Sequence, residues 1–142
     1  MTIRPLQARD LPHIESIQAL SPETPAWPVE SYSQTLCRVA VEEGDDGAET
    51  VLGFAAARQI VPQEAEILNI AVHPSARRRG IARALLLELL NMLQGEVFLE
   101  VRASNRAAIL LYESLHFAYV GVRSSYYSNP GDDAIVLRLQ AC

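Results

Sequence analysis

The chain contains no uninterrupted apolar run long enough to cross a bilayer, although 49% of its 142 residues are hydrophobic. Its first residues, Met-Thr-Ile-Arg-Pro, also lack the apolar core of a signal peptide. From these absences we expect a soluble, cytoplasmic protein that does not contact a membrane.

Cysteine is scarce as well, since the chain has only Cys37 and Cys142. These two cysteines and three isolated histidines do not have the spacing of metal ligands, so we predict no metal site. Disulfides are rare in the cytosol. We therefore expect Cys37 to fill space in the core and Cys142 to be a free thiol at the tail.

Basic residues are outnumbered, with 12 arginines and lysines against 17 acidic residues and a net charge of −5. Binding to a nucleic-acid backbone depends on a broad basic surface, so this composition argues against nucleic acid as a partner. The length fits a single domain over residues 1–142 with one core. In such an acidic chain, the three adjacent arginines at Arg77–Arg79 stand out as a local feature.

Apolar periodicity predicts alternating strands and helices. The predicted strands are Ile3–Leu6, Arg38–Val41, Val51–Ile60, Ala65–Val72, Val97–Val101, Ala118–Arg123 and Ala134–Leu139. The predicted helices follow an N-cap at Asp10, span Val29–Leu36, run from Gly80 to a C-terminal cap at Gly95, and span Asn105–Leu115. Turns are predicted at Asp46-Gly47 and at Asn129-Pro130-Gly131. The result is an α/β fold with a mixed sheet and helices on its faces.

The segment Arg77-Arg78-Arg79-Gly80-Ile81-Ala82 joins an apolar strand to a helix. A glycine turn that opens a helix presents free backbone N–H groups and the positive end of the helix dipole, which favours an anion such as phosphate. The alternative is a solvated basic surface at a helix start. The segment is neither a P-loop nor a dinucleotide-binding fingerprint, so the predicted ligand carries phosphate without phosphoryl or hydride transfer.

Three polar residues in the second half of the chain are ambiguous by themselves. Glu100 shares a strand face with Phe98 and Arg102, where a carboxylate is either paired with a cation such as Arg102 or partly desolvated. Asn105 is typical of a helix N-cap. Tyr112 lies on the same helix among apolar residues, where core packing is the ordinary role.

The motifs together resemble a known family. Arg77-x-x-Gly80-x-Ala82, after Asn69–Pro74, resembles the acetyl-CoA signature of the GNAT N-acetyltransferase superfamily. Leu99–Asn105 and Ala108–Phe117 are similar to segments of the bacterial ribosomal-protein-alanine N-acetyltransferases of the RimI type. The likeness continues through Arg123–Tyr127 and Asp133–Ile135 and covers nearly the whole domain.

The resemblance implies the GNAT fold, a central mixed sheet of about six to seven strands flanked by about four helices. It implies acetyl-CoA as co-substrate and no metal. The implied acetyl-CoA-binding residues are the backbone of Ile70, Ala71 and Val72, the turn residues Arg78, Arg79, Gly80, Ile81, Ala82 and Arg83, and Asn105. It further implies that Glu100 is the general base, acting through water, and that Tyr112 is the general acid for the departing thiolate.

The implied acceptor is the N-terminal alanine of a small-subunit ribosomal protein, attacked directly in a ternary complex. Pro22–Tyr32 and Arg123–Tyr127 are expected to border the acceptor groove, where Trp27, Tyr126 and Tyr127 either line it or pack. Two alternatives stay open: an enzyme that acetylates lysine side chains or a small amine, and a domain that binds acyl-CoA and regulates a partner without turnover.

Two positions depart from the family pattern. Ala82 stands where a second glycine is commoner, and its small side chain is an accepted substitute. His116 stands where glycine usually precedes the phenylalanine. If position 116 requires a positive φ, we expect the histidine to be strained there.

Overall fold

A computed structural model describes residues 1–128 and 131–140 of the chain. Seven strands form a mixed sheet in the order β1-β2-β3-β4-β5-β7-β6, which confirms the predicted fold class. The strands are β1 (Thr2–Pro5), β2 (Leu36–Glu43), β3 (Glu49–Val61), β4 (Glu64–Val72), β5 (Glu96–Arg102), β6 (Ala118–Tyr127) and β7 (Asp132–Gln140). The α-helices are α1 (Leu11–Ala19), α2 (Ile81–Leu90) and α3 (Arg106–Ser114).

The chain divides into two compact units, the first comprising residues 1–58 and 68–92. In this unit β1, β2 and β3 pair antiparallel, and a tight turn at residues 44–48 joins β2 to β3 as the sequence predicts. Apolar side chains of α1, β2 and β3 form its core, where the rings of Tyr32 and Phe54 lie 5.2 Å apart. Cys37 is buried in this core, as expected, and burial raises the pKa of its thiol to about 12.

The second unit comprises residues 59–67 and 93–142. Here β5 pairs parallel with the start of β4, which confirms the predicted parallel arrangement, and antiparallel with β7. The side chains of β5 alternate, with Val97, Leu99 and Val101 buried and Phe98, Glu100 and Arg102 partly exposed. Glu100 therefore lies on the face that the strand periodicity predicts. The predicted turn at Asn129-Pro130 and the tail residue Cys142 lie outside the described residues.

The predicted helix over Val29–Leu36 is a shorter 3-10 helix at Val29–Gln34. Thr35 is already extended, and Leu36 begins β2. The spacing of Val29, Tyr32 and Leu36 does not distinguish a 3-10 helix followed by a strand from an α-helix.

Asp10 precedes α1, but its side chain makes no cap hydrogen bond to that helix. Its carboxylate instead accepts from the N–H of Gln7 at 2.8 Å and pairs with Arg4 at 2.8 Å. Burial by itself would raise the pKa of Asp10, but the hydrogen bonds and charge of Arg4, with the Gln7 N–H, bring the net pKa below its usual value. The residue anchors β1 to the 3-10 turn at Ala8–Asp10.

Helix α2 ends at Leu90, so Gly95 is not its cap. Gly95 has φ +78°, and a Cβ there would lie 2.2 Å from the backbone of Gln63. The N–H of the following Glu96 donates to the carbonyl of Gln63 at 2.8 Å. The glycine is therefore required for a close approach of two chain segments rather than for ending a helix.

Among the described residues, none of the helices combines the length and the apolarity that a bilayer span requires.

Candidate active site

The start of α2 has the geometry of an anion site. Gly80 is its N-cap, with φ +76° and ψ +15°, and offers no side chain to cap the helix. The N–H of Ala84 bonds to the carbonyl of Gly80, whereas the three preceding N–H groups, at residues 81–83, precede the first intrahelical bond. A Cβ built on Gly80 meets no atom within 4 Å, so the space above this turn is open. This opening fits a phosphate group.

The three arginines before Gly80 have different environments. Arg77 donates through Nε to the carbonyl of Val72 at 3.2 Å, and its guanidinium lies 3.5 Å from the carboxylate of Glu23. Both partners belong to the first unit, so these contacts hold the turn within that unit. Arg79 pairs with Glu42 on β2 at 3.2 Å. Arg78 has a positive φ of 64°, and its guanidinium has no partner among the described residues. Arg78 is therefore the side chain of this triplet that is available to an incoming anion.

The predicted backbone site at Ile70–Val72 lies at the end of β4. Ala71 and Val72 are buried and Ile70 is partly exposed. The N–H of Ile70 already donates to Oδ1 of Asn69 at 2.9 Å, and the carbonyl of Val72 accepts from Arg77. Part of the hydrogen-bonding capacity that the resemblance assigns to a bound pantetheine arm is thus engaged within the chain.

A buried polar network holds the proline-rich segment that the sequence assigns to the acceptor side. Asn69 is 4% exposed, and its Nδ2 donates to the carbonyl of Pro25 at 2.9 Å and to the hydroxyl of Tyr32 at 3.0 Å. Gln18 of α1 donates to the carbonyl of Trp27 at 3.0 Å and accepts from its N–H at 3.3 Å. The loop is therefore held by side chains from α1, β4 and the 3-10 helix. Sequence reasoning missed this network.

Asn105 is the N-cap of α3, as the sequence predicts. Its Oδ1 accepts from the N–H of Ala108 at 3.2 Å. The side-chain amide donates to no described residue, so Asn105 can cap the helix and still offer two N–H donors. The cap role and the role implied by the resemblance are compatible.

The end of α3 fixes Tyr112. The N–H of Phe117 donates to the carbonyl of Tyr112 at 3.1 Å, and the N–H of His116 donates to the carbonyl of Glu113 at 3.0 Å. These two bonds are the Schellman pattern, in which the residue at His116 must be left-handed, and its φ is +74°. The ring of Phe117 lies 5.6 Å from the ring of Tyr112. This helix ending therefore packs the ring of Phe117 against the ring of Tyr112.

Tyr112 is buried, with 5% of its surface exposed, and its hydroxyl makes no hydrogen bond to a described residue. Burial, with a smaller contribution from Tyr127, raises the pKa of Tyr112 well above its usual value. The phenol therefore stays protonated over the physiological range.

Glu100 pairs with Arg123 of β6, with 3.2 Å between Glu100 Oε1 and Arg123 Nε. Arg102 is the example of a cationic partner for Glu100 that the sequence suggests. In the structure the Arg102 guanidinium lies over the ring of Tyr127, 4.3 Å from its centroid. Glu100 and Arg123 line a cavity of about 260 Å³ in the second unit. Glu66 and Phe98 also line it, so the cavity has both apolar and acidic walls.

Comparison with known proteins identifies the family of this chain. Residues 3–117 match the sequence model of the Acetyltransferase (GNAT) family. The chain belongs to this family. This confirms the family resemblance drawn from the segments Arg77–Ala82, Leu99–Asn105 and Ala108–Phe117. No group of three or more His, Cys, Asp or Glu side chains within residues 1–128 and 131–140 is placed to hold a metal ion.

Two curated relatives have enzyme names. The GNAT chain is 46% identical over 87 residues to the ribosomal protein bS18-alanine N-acetyltransferase of Escherichia coli, which covers 57% of this chain and 59% of that protein. It is 38% identical over 117 residues to the N-alpha-acetyltransferase RimI of Mycobacterium tuberculosis, which covers 79% of this chain and 74% of that protein. The chain thus spans less than two thirds of the E. coli relative.

A solved structure is similar over a longer stretch. The crystal structure of the ribosomal-protein-S18-alanine N-acetyltransferase from E. coli has a TM-score of 0.80 and 33% identity to this GNAT chain. The superposition covers 99% of this chain and 93% of that one. The predicted GNAT fold is therefore confirmed along its length.

We predict that His116→Gly stabilises the protein by about 1 kcal/mol, because glycine adopts the left-handed conformation of this cap without the Cβ penalty. Urea unfolding measures the change. The matched control is His13→Gly, which places glycine inside α1 and should destabilise by about 0.5 kcal/mol. If both variants lose stability equally, the histidine is not strained at position 116.

Proposed function

We propose that this chain is an acetyl-CoA-dependent N-acetyltransferase that acetylates the α-amine of an N-terminal alanine, with a small-subunit ribosomal protein as its acceptor. The observation that carries the proposal is in the second unit. A buried phenol, Tyr112, is available as a proton donor, and a partly exposed carboxylate, Glu100, is available as an acceptor. The name of the E. coli relative supports the choice of acceptor.

The residues proposed to bind the co-substrate are described for each unit separately. In the first unit, the open start of α2 and the free guanidinium of Arg78 fit the pyrophosphate of acetyl-CoA. The turn residues Arg79, Ile81, Ala82 and Arg83, with the β4 backbone at Ile70–Val72, complete the proposed binding set. In the second unit, the amide of Asn105 is the proposed donor to the pantetheine arm.

The reaction needs a neutral amine and a protonated leaving group. In the proposed step the amine nitrogen attacks the thioester carbonyl carbon while Glu100 accepts the amine proton, directly or through water. The C–S bond then breaks, and the Tyr112 hydroxyl donates its proton to the sulfur. Cys37 is unsuited to a covalent intermediate because it is buried with a raised pKa. Direct transfer is therefore the proposed course.

Amine chemistry favours an N-terminal acceptor. An α-amine with a pKa near 7.8 is about one-seventh neutral at pH 7, whereas a lysine with a pKa near 10.4 is neutral about once in 2,500 molecules. This difference corresponds to about 3.5 kcal/mol in favour of the α-amine. We propose that the acceptor approaches beside the β6 segment Arg123–Tyr127. A cytoplasmic location is proposed because acetyl-CoA and ribosomal proteins are found there.

The function is tested with acetyl-CoA and two peptides, one with a free N-terminal alanine and one N-blocked with an internal lysine. We expect acetylation at the α-amine alone, located by mass spectrometry. The chain contains no lysine, so an acetyl-lysine in the mixture must come from the peptide. Lysine modification alone would replace the proposal by a lysine acetyltransferase. Co-substrate binding without either product would favour the regulatory alternative.

Tyr112→Phe should lower kcat about 100-fold and leave the Kd of acetyl-CoA nearly unchanged, because it removes only the proton donor. Because burial raises the pKa of Tyr112, wild-type kcat should show no loss from its deprotonation up to about pH 10. Steady-state kinetics from pH 7 to 10 measure kcat and its pH dependence, and titration calorimetry measures the Kd. Tyr119→Phe, at an exposed position on β6, is the control and should keep full activity. Equal kcat values for wild type and Tyr112→Phe would exclude Tyr112 as the acid.

Gly80→Ala should weaken acetyl-CoA binding by about tenfold or more, because its methyl group would occupy the open space above the helix start. Titration calorimetry measures the Kd. Gly47→Ala is the matched control, since Gly47 also has a positive φ, of 81°, but lies in the β2–β3 turn. Both variants should lose about 1 kcal/mol of stability. Unchanged affinity in Gly80→Ala would refute the proposed phosphate site.

A further inference from the structure

The ion pair between Glu100 and Arg123 spans an intervening strand. Glu100 lies on β5 and Arg123 on β6, with β7 between them in the sheet. Glu100 is opposite Val136, and Arg123 is opposite Ala134. All four side chains therefore lie on one face, and Arg123 reaches diagonally over β7 to bring its Nε to 3.2 Å from Glu100 Oε1. The small side chain of Ala134 leaves room for this crossing.

Arg123 has a second anchor besides Glu100. Its guanidinium lies over the ring of Tyr126, 5.4 Å from the centroid. Tyr126 in turn meets Tyr127 edge to face at 5.1 Å. The pairing of β6 with β7 is irregular between Arg123 and Tyr127, where Ser125 has a φ of +53° and donates its N–H to Asp133 at 2.8 Å. The side chain is thus held between a ring and a carboxylate although 59% of it is exposed.

A general base is efficient only when its carboxylate is held within reach of the proton that it accepts. Glu100 lies on an open sheet face, where a glutamate with three rotatable bonds would otherwise take several orientations. On the basis of the proposed function, we propose that Arg123 is a positioning residue for the transfer. Its guanidinium holds the Glu100 carboxylate in the orientation in which that carboxylate accepts the amine proton.

This role is separable from a structural one. An ion pair with 59% and 23% of its two side chains exposed contributes little to stability. Loss of Arg123 should therefore change the rate of acetyl transfer and leave the unfolding midpoint close to that of wild type.

The test is a double-mutant cycle in the full chain, with acetyl-CoA and the alanine-led peptide. Arg123→Met should lower kcat about tenfold with an unchanged KM for acetyl-CoA, since it removes orientation and not the base itself. Arg123→Lys should recover part of the loss because it restores a cation. In the Glu100→Gln background, Arg123→Met should have no further effect, because the residue acts through that carboxylate.

The matched control is Arg138→Met. Arg138 of β7 pairs with Glu96 of β5 at 3.6 Å. Like the Glu100–Arg123 pair, it is an exposed ion pair that involves a glutamate of β5. We expect kcat to stay within about twofold of wild type, because exposed ion pairs are weak and this one does not contact Glu100.

Three results would overturn the inference while leaving the acetyltransferase proposal intact. They are an unchanged kcat in Arg123→Met, an equal loss in the presence and absence of Glu100, and a change confined to the KM of the peptide, which would make Arg123 an acceptor-binding residue. If wild type acetylates neither peptide, the proposed function itself fails, and the positioning role fails with it.

Discussion

Every α-helix begins with backbone N–H groups that have no partner in the helix. In this chain those groups are capped by a side chain at α3 and left uncapped at α2. At α3, the side chain of Asn105 accepts one of them. At α2, Gly80 supplies no side chain, and the turn before it is bent by positive φ values at Arg78 and Gly80. The first backbone N–H groups of α2 therefore have no side-chain cap, and Arg78 lies two residues before the N-cap. Donors left without a protein partner next to a cation favour an anionic ligand.

Local patterns predict much of this fold. The alternation of Val97, Leu99 and Val101 with Phe98, Glu100 and Arg102 gives the strand and its exposed face, and the structure has both. The N-cap at Asn105 is likewise a local property. These elements are predictable because side-chain periodicity and capping depend only on neighbours within a few residues.

The remaining features depend on contacts distant in sequence. Gly95 is a glycine because the backbone of Gln63 approaches it, and no periodicity reveals that approach. Arg123 meets Glu100 only because β7 lies between β5 and β6, so the pair requires knowledge of the strand order. The network around Asn69 joins α1, a loop and β4. The place of Asn69 within an apolar strand is visible in the sequence, but its hydrogen-bond partners are not.

Backbone strain in this chain coincides with the segments that the proposed chemistry uses. The non-glycine residues with positive φ in the described part of the chain are Arg78, His116 and Ser125. Arg78 lies in the turn before α2, His116 ends the helix that carries Tyr112, and Ser125 lies in the irregular stretch that follows Arg123. Such conformations are unfavourable for residues with a Cβ and persist where the surrounding structure requires them. At His116 the requirement is the Schellman pair of hydrogen bonds, which places Tyr112 against Phe117. The left-handed conformation at position 116 is therefore tied to the contact between the two rings, and a helix ending without it would place Phe117 elsewhere relative to the proposed proton donor.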